Sequence, residues 1–148
     1  GNTFTYKNCD LRIQYTSQVG FQILNDPRAD YENNSHAYNR LKSVEEAPYG
    51  GQYTLSSSQP QTMVSYYLEN GNFLKLTNLT IGYNFPFKNN KYIKNVRAYL
   101  SGDNLFCITG YSGLDPELSN PYPTYAGIDN RDKYPSIRSF TFGLNLTF

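Results

Sequence analysis

Phe140-Thr-Phe-Gly-Leu-Asn-Leu-Thr-Phe148 decides how this chain is read. Phe140, Phe142, Leu144, Leu146 and Phe148 take the even positions, while Thr141, Gly143, Asn145 and Thr147 take the odd ones. In an extended strand, a period of two sends these sets to opposite faces, one apolar and one polar. A soluble sandwich edge can alternate in the same way, but it seldom gathers so many large apolar side chains at the end of a chain. The apolar phase is expected to be lipid.

Composition agrees with a strand-rich protein. The 148 residues are only 39% hydrophobic, and much of that fraction is carried by 15 Tyr and 9 Phe, which favour strands. Thirteen basic residues against twelve acidic ones leave a net charge of +1, and neither sign clusters as a nucleic-acid footprint does, so nucleic acid is set aside. The longest uncharged run, Ala47 to Leu68, is rich in Ser, Gln, Gly and Tyr. It does not resemble a spanning helix, which needs about 20 predominantly apolar residues. The opening Gly1-Asn2 has no charged stretch followed by an apolar one, so any targeting segment is expected to be absent or removed, and the chain to be part of something longer.

Outward from the terminal strand, the same pattern recurs. In Asp10 to Leu24, Leu11, Ile13, Tyr15, Val19, Phe21 and Ile23 share one parity, opposite Arg12, Gln14, Thr16, Gln18 and Gln22, and Ser17 interrupts the apolar set. Phe73 to Phe85 sets Leu79, Ile81, Tyr83 and Phe85 against Asn78, Thr80, Gly82 and Asn84, and Pro86 ends it. Val96 to Ile108 sets Val96, Ala98 and Leu100 against Arg97, Tyr99, Ser101 and Asp103. Strands are therefore expected at about 10–24, 73–85, 96–108 and 137–148.

The connections alternate in length: 25–72 is long, 87–95 short and 109–136 long. Loops inside compact domains have a median of about 4 to 6 residues, whereas outer-membrane barrels pair short periplasmic turns with long external loops. With the C-terminus on the periplasmic side, the short connection falls there and both long ones fall outside. Lys75 and Arg138 have the parity of the apolar face and lie ten residues from Phe85 and Phe148 respectively. Ten residues of tilted strand climb roughly 25 Å, the height of the apolar band, so both charges are expected at the outer interface. At the midplane each would cost about 2–4 kcal/mol. Cys9 and Cys107 would then sit at opposite membrane faces, and no disulfide is expected between them.

Four stretches carry a resemblance to a known family: Phe73-Leu-Lys-Leu-Thr-Asn-Leu-Thr-Ile-Gly-Tyr83, Val96-Arg-Ala-Tyr-Leu-Ser-Gly-Asp-Asn-Leu-Phe106, Thr109-Gly-Tyr-Ser-Gly-Leu-Asp-Pro-Glu117, and Ser139 to Phe148. In this order and spacing, the chain resembles the C-terminal end of the SusC/RagA family of TonB-dependent outer-membrane transporters of Bacteroidota. The first half matches mainly through Thr5-Tyr-Lys-Asn8 leading into Leu11. The resemblance implies an all-β fold, with residues 1–148 supplying the last four antiparallel transmembrane strands of a 22-stranded barrel around a plug. It also implies import of oligosaccharides or peptides, driven by a TonB complex that contacts an N-terminal region not present in these residues. A SusD-like lipoprotein would act as lid. In such barrels the terminal strand is the recognition signal for the barrel-assembly machinery, a role that falls here on Phe140, Phe142, Gly143, Leu144, Leu146 and Phe148.

The remaining candidates are weighed on chemistry. Arg12, Arg97 and Asp103 have inward parity and are expected to face the plug or a watery lumen. Tyr111, Asp115, Glu117, Tyr122 and Tyr125, in one external loop, are candidate contacts to ligand or lid. For the loop tyrosines, which also include Tyr31, Tyr38, Tyr49, Tyr53 and Tyr134, packing is the favoured reading ahead of partner contact. Asp115, Glu117, Asp129 and Asp132 offer hard oxygen ligands for calcium but lack the regular spacing of an EF-hand, so a solvated acidic loop is preferred. His36, the only histidine, stands without a cysteine or dense carboxylate cluster and reads as solvated. Lys88, Lys91 and Lys94 read as a solvated cap on the short turn. No catalytic dyad, cofactor or resident metal is expected, and the chain is not read as an enzyme. The alternative function is a secreted carbohydrate-binding β-sandwich, which would need about seven short strands rather than four long ones.

Overall fold

Alternation produces strands, and the computed structural model places them as β1 (Asn2–Tyr6), β2 (Cys9–Gln18), β3 (Gln22–Asn25), β4 (Leu68–Asn70), β5 (Phe73–Pro86), β6 (Asn95–Thr109), β7 (Ile128–Asp129) and β8 (Ser139–Thr147), with one short helix, α1 (Asp26–Tyr31). The structure describes residues 1–32, 40–45, 65–86, 92–118, 126–130 and 133–148. These divide into two units, one of Gly1–Gln18, Phe73–Ile108 and Ser136–Phe148, the other of Val19–Asn72 and Thr109–Pro135.

The first unit is a five-stranded sheet in the order β1-β2-β5-β6-β8. The strand at its start, β1, is one more than the four expected from sequence. It was missed because its turn carries no glycine signal. Lys7 and Asn8 alone link Tyr6 to its partner Cys9, and Lys7 adopts a φ of 52° to close the turn. The antiparallel register sets Phe4 opposite Leu11, Leu11 opposite Ile81, and Leu100 opposite Phe142, so one face collects the apolar parity from strand to strand. The Lys7–Asn8 turn lies at the Pro86 end of β5, where the Asn84 N–H donates to the Asn8 carbonyl at 2.8 Å.

Between β2 and β5 the register shifts: Gln14 pairs with Asn78, but Tyr15 pairs with Leu76. Thr77 is the extra residue of a β-bulge, and its Oγ1 donates to the Gln14 carbonyl at 2.9 Å. An inserted residue reverses parity beyond it. Leu74 and Leu76 therefore join the apolar face, while Phe73 and Lys75 turn to the other side. Lys75 thus departs from the sequence reading: it is 5% exposed, with Nζ donating to Ser136 Oγ at 3.2 Å, and does not sit on the lipid-side parity.

The expected strand 10–24 also ends early. Gly20 adopts a φ of 81°, which favours glycine, and its N–H donates to Asn72 Oδ1 at 2.7 Å. Beyond this break the chain enters the second unit, where β3 pairs antiparallel with β4 and parallel with β7. Ile23, assigned by parity to the apolar face, is instead fully buried in this unit beside the buried Ala29, Tyr67 and Tyr111. Asn25 caps α1, its side chain accepting from Arg28 N at 3.0 Å, with Pro27 in the first turn. The long stretches 25–72 and 109–136 thus contain α1, β4, β7 and 3-10 turns at Lys42–Glu45 and Ser65–Tyr67. Among the described residues no helix is long and apolar enough to cross a membrane, which leaves strands untouched as a means of crossing.

Close packing on the polar face of the sheet depends on two glycines. A Cβ on Gly82 would stand 2.5 Å from Asp10 Oδ1 and 2.6 Å from Arg97 Nη2, and one on Gly143 would stand 2.3 Å from the Tyr99 ring. Gly82→Ala should cost about 1–3 kcal/mol by forcing the Asp10–Arg97 pair apart. The measurement is the denaturant midpoint of the folded protein in detergent; an unchanged midpoint would mean that the pair does not occupy the space over Gly82.

Candidate functional site

The sheet has two chemically different faces. On one, Phe4, Tyr15, Leu74, Ile81, Leu100, Phe140, Phe142, Leu144, Leu146 and Phe148 are all exposed, Phe140 at 70% and Phe142 at 69%. Tyr83 and Phe85 stand in edge contact, ring centroids 4.5 Å apart, at the end of β5. Soluble monomers rarely expose a contiguous apolar surface this broad, and a sandwich would cover it with a second sheet.

The opposite face is a network of polar groups. Arg97 Nε donates to Asp10 Oδ1 at 3.1 Å and Nη2 to Asp10 Oδ2 at 2.5 Å, a forked pair. The Arg97 guanidinium carbon lies 5.3 Å from the centre of the Tyr99 ring. Asn78 Nδ2 donates to Ser101 Oγ at 2.9 Å and to Asp103 Oδ1 at 2.7 Å, and Ser139 Oγ donates to Asp103 Oδ2 at 3.1 Å. Arg12 faces Thr80 in register and has the parity of Asp10. The residues read as inward, Arg12, Arg97 and Asp103, therefore share this polar face. Sequence reading missed Asp10, although its parity with Arg12 was the available signal.

In the second unit, Glu69 gathers donors from three directions. Its Oε1 accepts from Arg28 Nη1 at 3.0 Å, Asn25 Nδ2 at 3.1 Å and Ser112 Oγ at 2.7 Å, and its Oε2 accepts from the Ser112 N–H at 2.8 Å. Burial alone would raise the Glu69 carboxyl, but the Ser112 backbone and hydroxyl, with Arg28 and Asn25, hold it below the ordinary glutamate range. Arg28 also binds Glu32 Oε2 at 3.1 Å and packs on the Tyr66 ring at 5.1 Å. Among the described residues, Glu32 Oε1 is buried without a hydrogen-bond partner. Beside this cluster lies a cavity of about 730 Å³ bordered by Arg28, Tyr31, Leu41, Leu114, Asp129 and Lys133, among others.

The loop residues singled out from sequence divide into three cases. Tyr111 is 6% exposed, and its hydroxyl donates to Asp129 Oδ2 at 2.6 Å. Burial first, and Asp129 second, push its phenol pKa far up, so it is a packing residue and not an exposed contact. Asp115 is also 6% exposed; its Oδ1 accepts from Glu117 N at 3.0 Å and its carbonyl from Lys133 Nζ. Among the described residues of this set, Glu117 alone is exposed. Tyr122 and Tyr125 lie outside the described residues, as do His36, Tyr38, Tyr49, Tyr53, Lys88, Lys91 and Asp132. Among the described residues no three His, Cys, Asp or Glu side chains converge as metal ligands do. Glu69, Arg28 and Asn25 were not anticipated, because their meeting depends on contacts far apart in sequence.

No protein-family model matches the chain. TonB-dependent receptor P3 of Formosa agariphila is 33% identical over 159 residues, covering 99% of this chain and 16% of that receptor. TonB-dependent receptor SusC of Bacteroides thetaiotaomicron is 38% identical over 96 residues, covering 62% of this chain and 9% of SusC. A chain of the RagAB peptide importer in its closed-closed state superposes with a TM-score of 0.76 at 25% identity, over 97% of this chain and 16% of that one. The chain belongs to the SusC/RagA-like family of TonB-dependent transporters. It spans about 16% of the length of receptor P3. TonB-dependent receptors of the SusC/RagA type are outer-membrane β-barrel proteins, and the exposed apolar face has the composition such a wall turns to lipid.

The Glu69 cluster generates a prediction for this SusC/RagA-like chain. Because the folded Glu69 pKa is depressed, its contribution is complete above the ordinary glutamate range and is lost as pH falls through the folded value. Hydrogen exchange at residues 68–70 and 111–113 should therefore stay slow from neutral pH down to that range and accelerate below it. Glu69→Ala should lower the local opening free energy at neutral pH by about 1–3 kcal/mol; exchange that ignores both changes would remove Glu69 from this role.

Proposed function

We propose that this chain is the C-terminal wall segment of an outer-membrane nutrient importer whose uptake is TonB-dependent. One observation carries the reading: a sheet with one continuous exposed apolar face occurs in a chain 33% identical, over 99% of its length, to a TonB-dependent receptor. In this reading the apolar face meets lipid, and Arg12, Arg97, Asp103 and Asp10 line the lumen or meet a plug. The connections 7–8 and 87–94 are periplasmic, and the long stretches 25–72 and 109–136 are external. A SusD-like lipoprotein is the lid partner, by analogy with the relative named SusC. The TonB complex engages a region outside these residues. No catalytic chemistry, cofactor or resident metal is assigned, and a calcium ion in the acidic loop is not needed to hold Asp115 or Asp129, which already accept hydrogen bonds from protein groups.

The cargo is an oligosaccharide or a peptide. The RagAB structure, named a peptide importer, favours peptide, while the higher-identity match to SusC over a shorter span favours no single cargo. Among the described residues of the second unit, Glu117, Tyr31 and Tyr134 are the exposed acidic and aromatic groups offered to cargo or lid, since Tyr111 and Asp115 are buried; Tyr122 and Tyr125 stay candidates outside the described residues.

In cells, an antibody against the 111–134 loop should detect an outer-membrane band several times heavier than 16.9 kDa. A soluble band of about that mass would remove the transporter reading and restore the secreted binding module. Removing Phe148, the terminal aromatic of the assembly signal, should lower the heat-modifiable, folded fraction in the outer membrane while leaving synthesis unchanged. An undiminished folded fraction would separate this strand from assembly.

A further inference from the structure

Where β3 begins and β4 ends, the second unit carries a groove of about 400 Å³ lined by Gly20, Phe21, Gln22, Asn70 and Asn72. That volume falls within the roughly 300–1,000 Å³ of small-ligand sites. Gln22 and Asn70 are direct partners across the antiparallel pair, so their side chains share one face of it. Ile23 and Glu69, the next pair, take the other face, where Ile23 is fully buried. The turn after β4 brings Asn72 alongside. The Gly71 N–H donates to the Phe21 carbonyl at 3.0 Å, and a Cβ on Gly71 would collide with the Phe21 ring, which therefore lies against bare backbone.

Two carboxamides at this groove are held by their oxygens. Asn72 Oδ1 accepts from the Gly20 N–H at 2.7 Å, and Asn70 Oδ1 accepts from the Asn72 N–H at 2.9 Å. A backbone N–H can only donate, so these bonds fix which end of each amide is oxygen and which is nitrogen. Asn70 Nδ2 and Asn72 Nδ2 make no hydrogen bond among the described residues, and neither does the Gln22 side chain, which is exposed. Thr109 Oγ1 donates to the Asn72 carbonyl at 2.9 Å and ties the turn down. The groove is thus bordered by two held donors and, on Gln22, by a further donor and acceptor, with no charged side chain among its lining residues.

We propose that this groove is a subsite for a neutral saccharide, whose hydroxyls meet the amides of Gln22, Asn70 and Asn72 while Phe21 supplies an apolar wall for the C–H face of the sugar ring. The importer reading above makes a transported oligosaccharide the expected source, and the subsite rests on that reading to select between its two cargo classes. Each sugar hydroxyl is donor and acceptor at once, which a close set of neutral amides matches. A phosphate or carboxylate ligand would call for a cation, and none lines the groove. A peptide is recognised through main-chain pairing along a strand edge together with pockets for alternate side chains, and the groove holds a cluster of polar tips rather than such pockets. An apolar ligand would leave the amide donors unpaired, at a cost that excludes it.

The test uses the purified full-length protein in mild detergent, probed with an array of neutral hexose and pentose oligosaccharides, with oligogalacturonate and with a pool of tri- to hexapeptides. Hydrogen-exchange mass spectrometry then locates each bound probe. A neutral oligosaccharide should bind and slow exchange in segments 19–23 and 69–73. Asn70→Asp keeps an oxygen for the Asn72 N–H but replaces the free amino group by an acceptor, and should weaken that binding about tenfold. Gln22→Ala, at an exposed side chain outside any hydrogen bond, should weaken it about fivefold, and both variants should keep the wild-type thermal midpoint. Unchanged affinity in both variants, protection confined to other segments, peptides binding here in place of saccharides, or no neutral saccharide bound at all overturns the subsite. Uptake of the same labelled oligosaccharide by whole cells separates two sources of the sugar, and both outcomes keep the subsite: slower uptake by Asn70→Asp marks cargo, and unchanged uptake with weakened binding marks a cell-surface glycan. A soluble protein that still binds saccharide at these residues overturns the importer reading alone, whereas an outer-membrane protein that fails the binding test overturns the subsite alone.

Discussion

A strand set between an apolar phase and a polar one has almost no freedom of register, because a slip of one residue carries its whole apolar set to the wrong side. The ladder from β1 to β8 obeys this rule. Leu11 meets Ile81 and Phe4 on one face, while Asp10 meets Gly82 and Thr5 on the other. Where β5 carries one residue too many for the rule, the fold inserts a bulge rather than a slip. Thr77 supplies both the extra residue and a hydroxyl for the Gln14 carbonyl, so an acceptor disturbed by the bulge still has a donor. The inserted residue also decides which side chains reach the apolar phase above it: two leucines, and not a phenylalanine and a lysine.

The polar face solves a different packing problem. Arginine and tyrosine are bulky for a strand face, and Arg97 and Tyr99 fit because a glycine lies beneath each group, Gly82 under the Asp10–Arg97 pair and Gly143 under the Tyr99 ring. Covering a strand glycine with a neighbouring aromatic also shields backbone that would otherwise be bare. The ion pair contributes orientation more than free energy, since both partners remain partly exposed. Its effect is to hold a guanidinium and a phenol ring in fixed places on a face they share with Arg12, Asp103 and the amide and hydroxyl groups of Asn78 and Ser101.

Period-two patterning made the sheet legible wherever a strand ran unbroken. Ser139 to Phe148 and the lower half of β5, from Asn78 to Phe85, needed nothing beyond parity. Parity failed where the backbone departed from a regular strand, and each departure had a local cause. Gly20 at positive φ ended β2 before Val19, so Ile23 went to a different core. Thr77 reversed the assignment of Lys75, and sequence holds no marker for a bulge at a threonine. The Lys7-Asn8 turn hid β1 because the strongest hairpin signals, such as Asn-Gly, are absent there. Arg12, Arg97 and Asp103 share one face of the sheet, as their common parity required. Their partners were not legible, because Asp10 and Arg97 are separated by most of the chain and meet only through the pairing of other strands.

The second unit lay beyond such reading for a deeper reason. Its buried apolar groups among the described residues are few, Ile23, Ala29, Tyr67 and Tyr111, and they share the interior with Asn25, Glu32, Asp115 and Asp129. A core of this kind has no period to betray it. Each buried polar group must find its own donor or acceptor, and Glu32 Oε1 shows what a missing one looks like. Hydrogen bonds to a charged centre such as Glu69 are directional and conditional on protonation, whereas apolar burial is neither. The sheet is thus tied to a fixed pattern by the phases on its two faces, while the unit on the long connections is held by a few specific polar contacts.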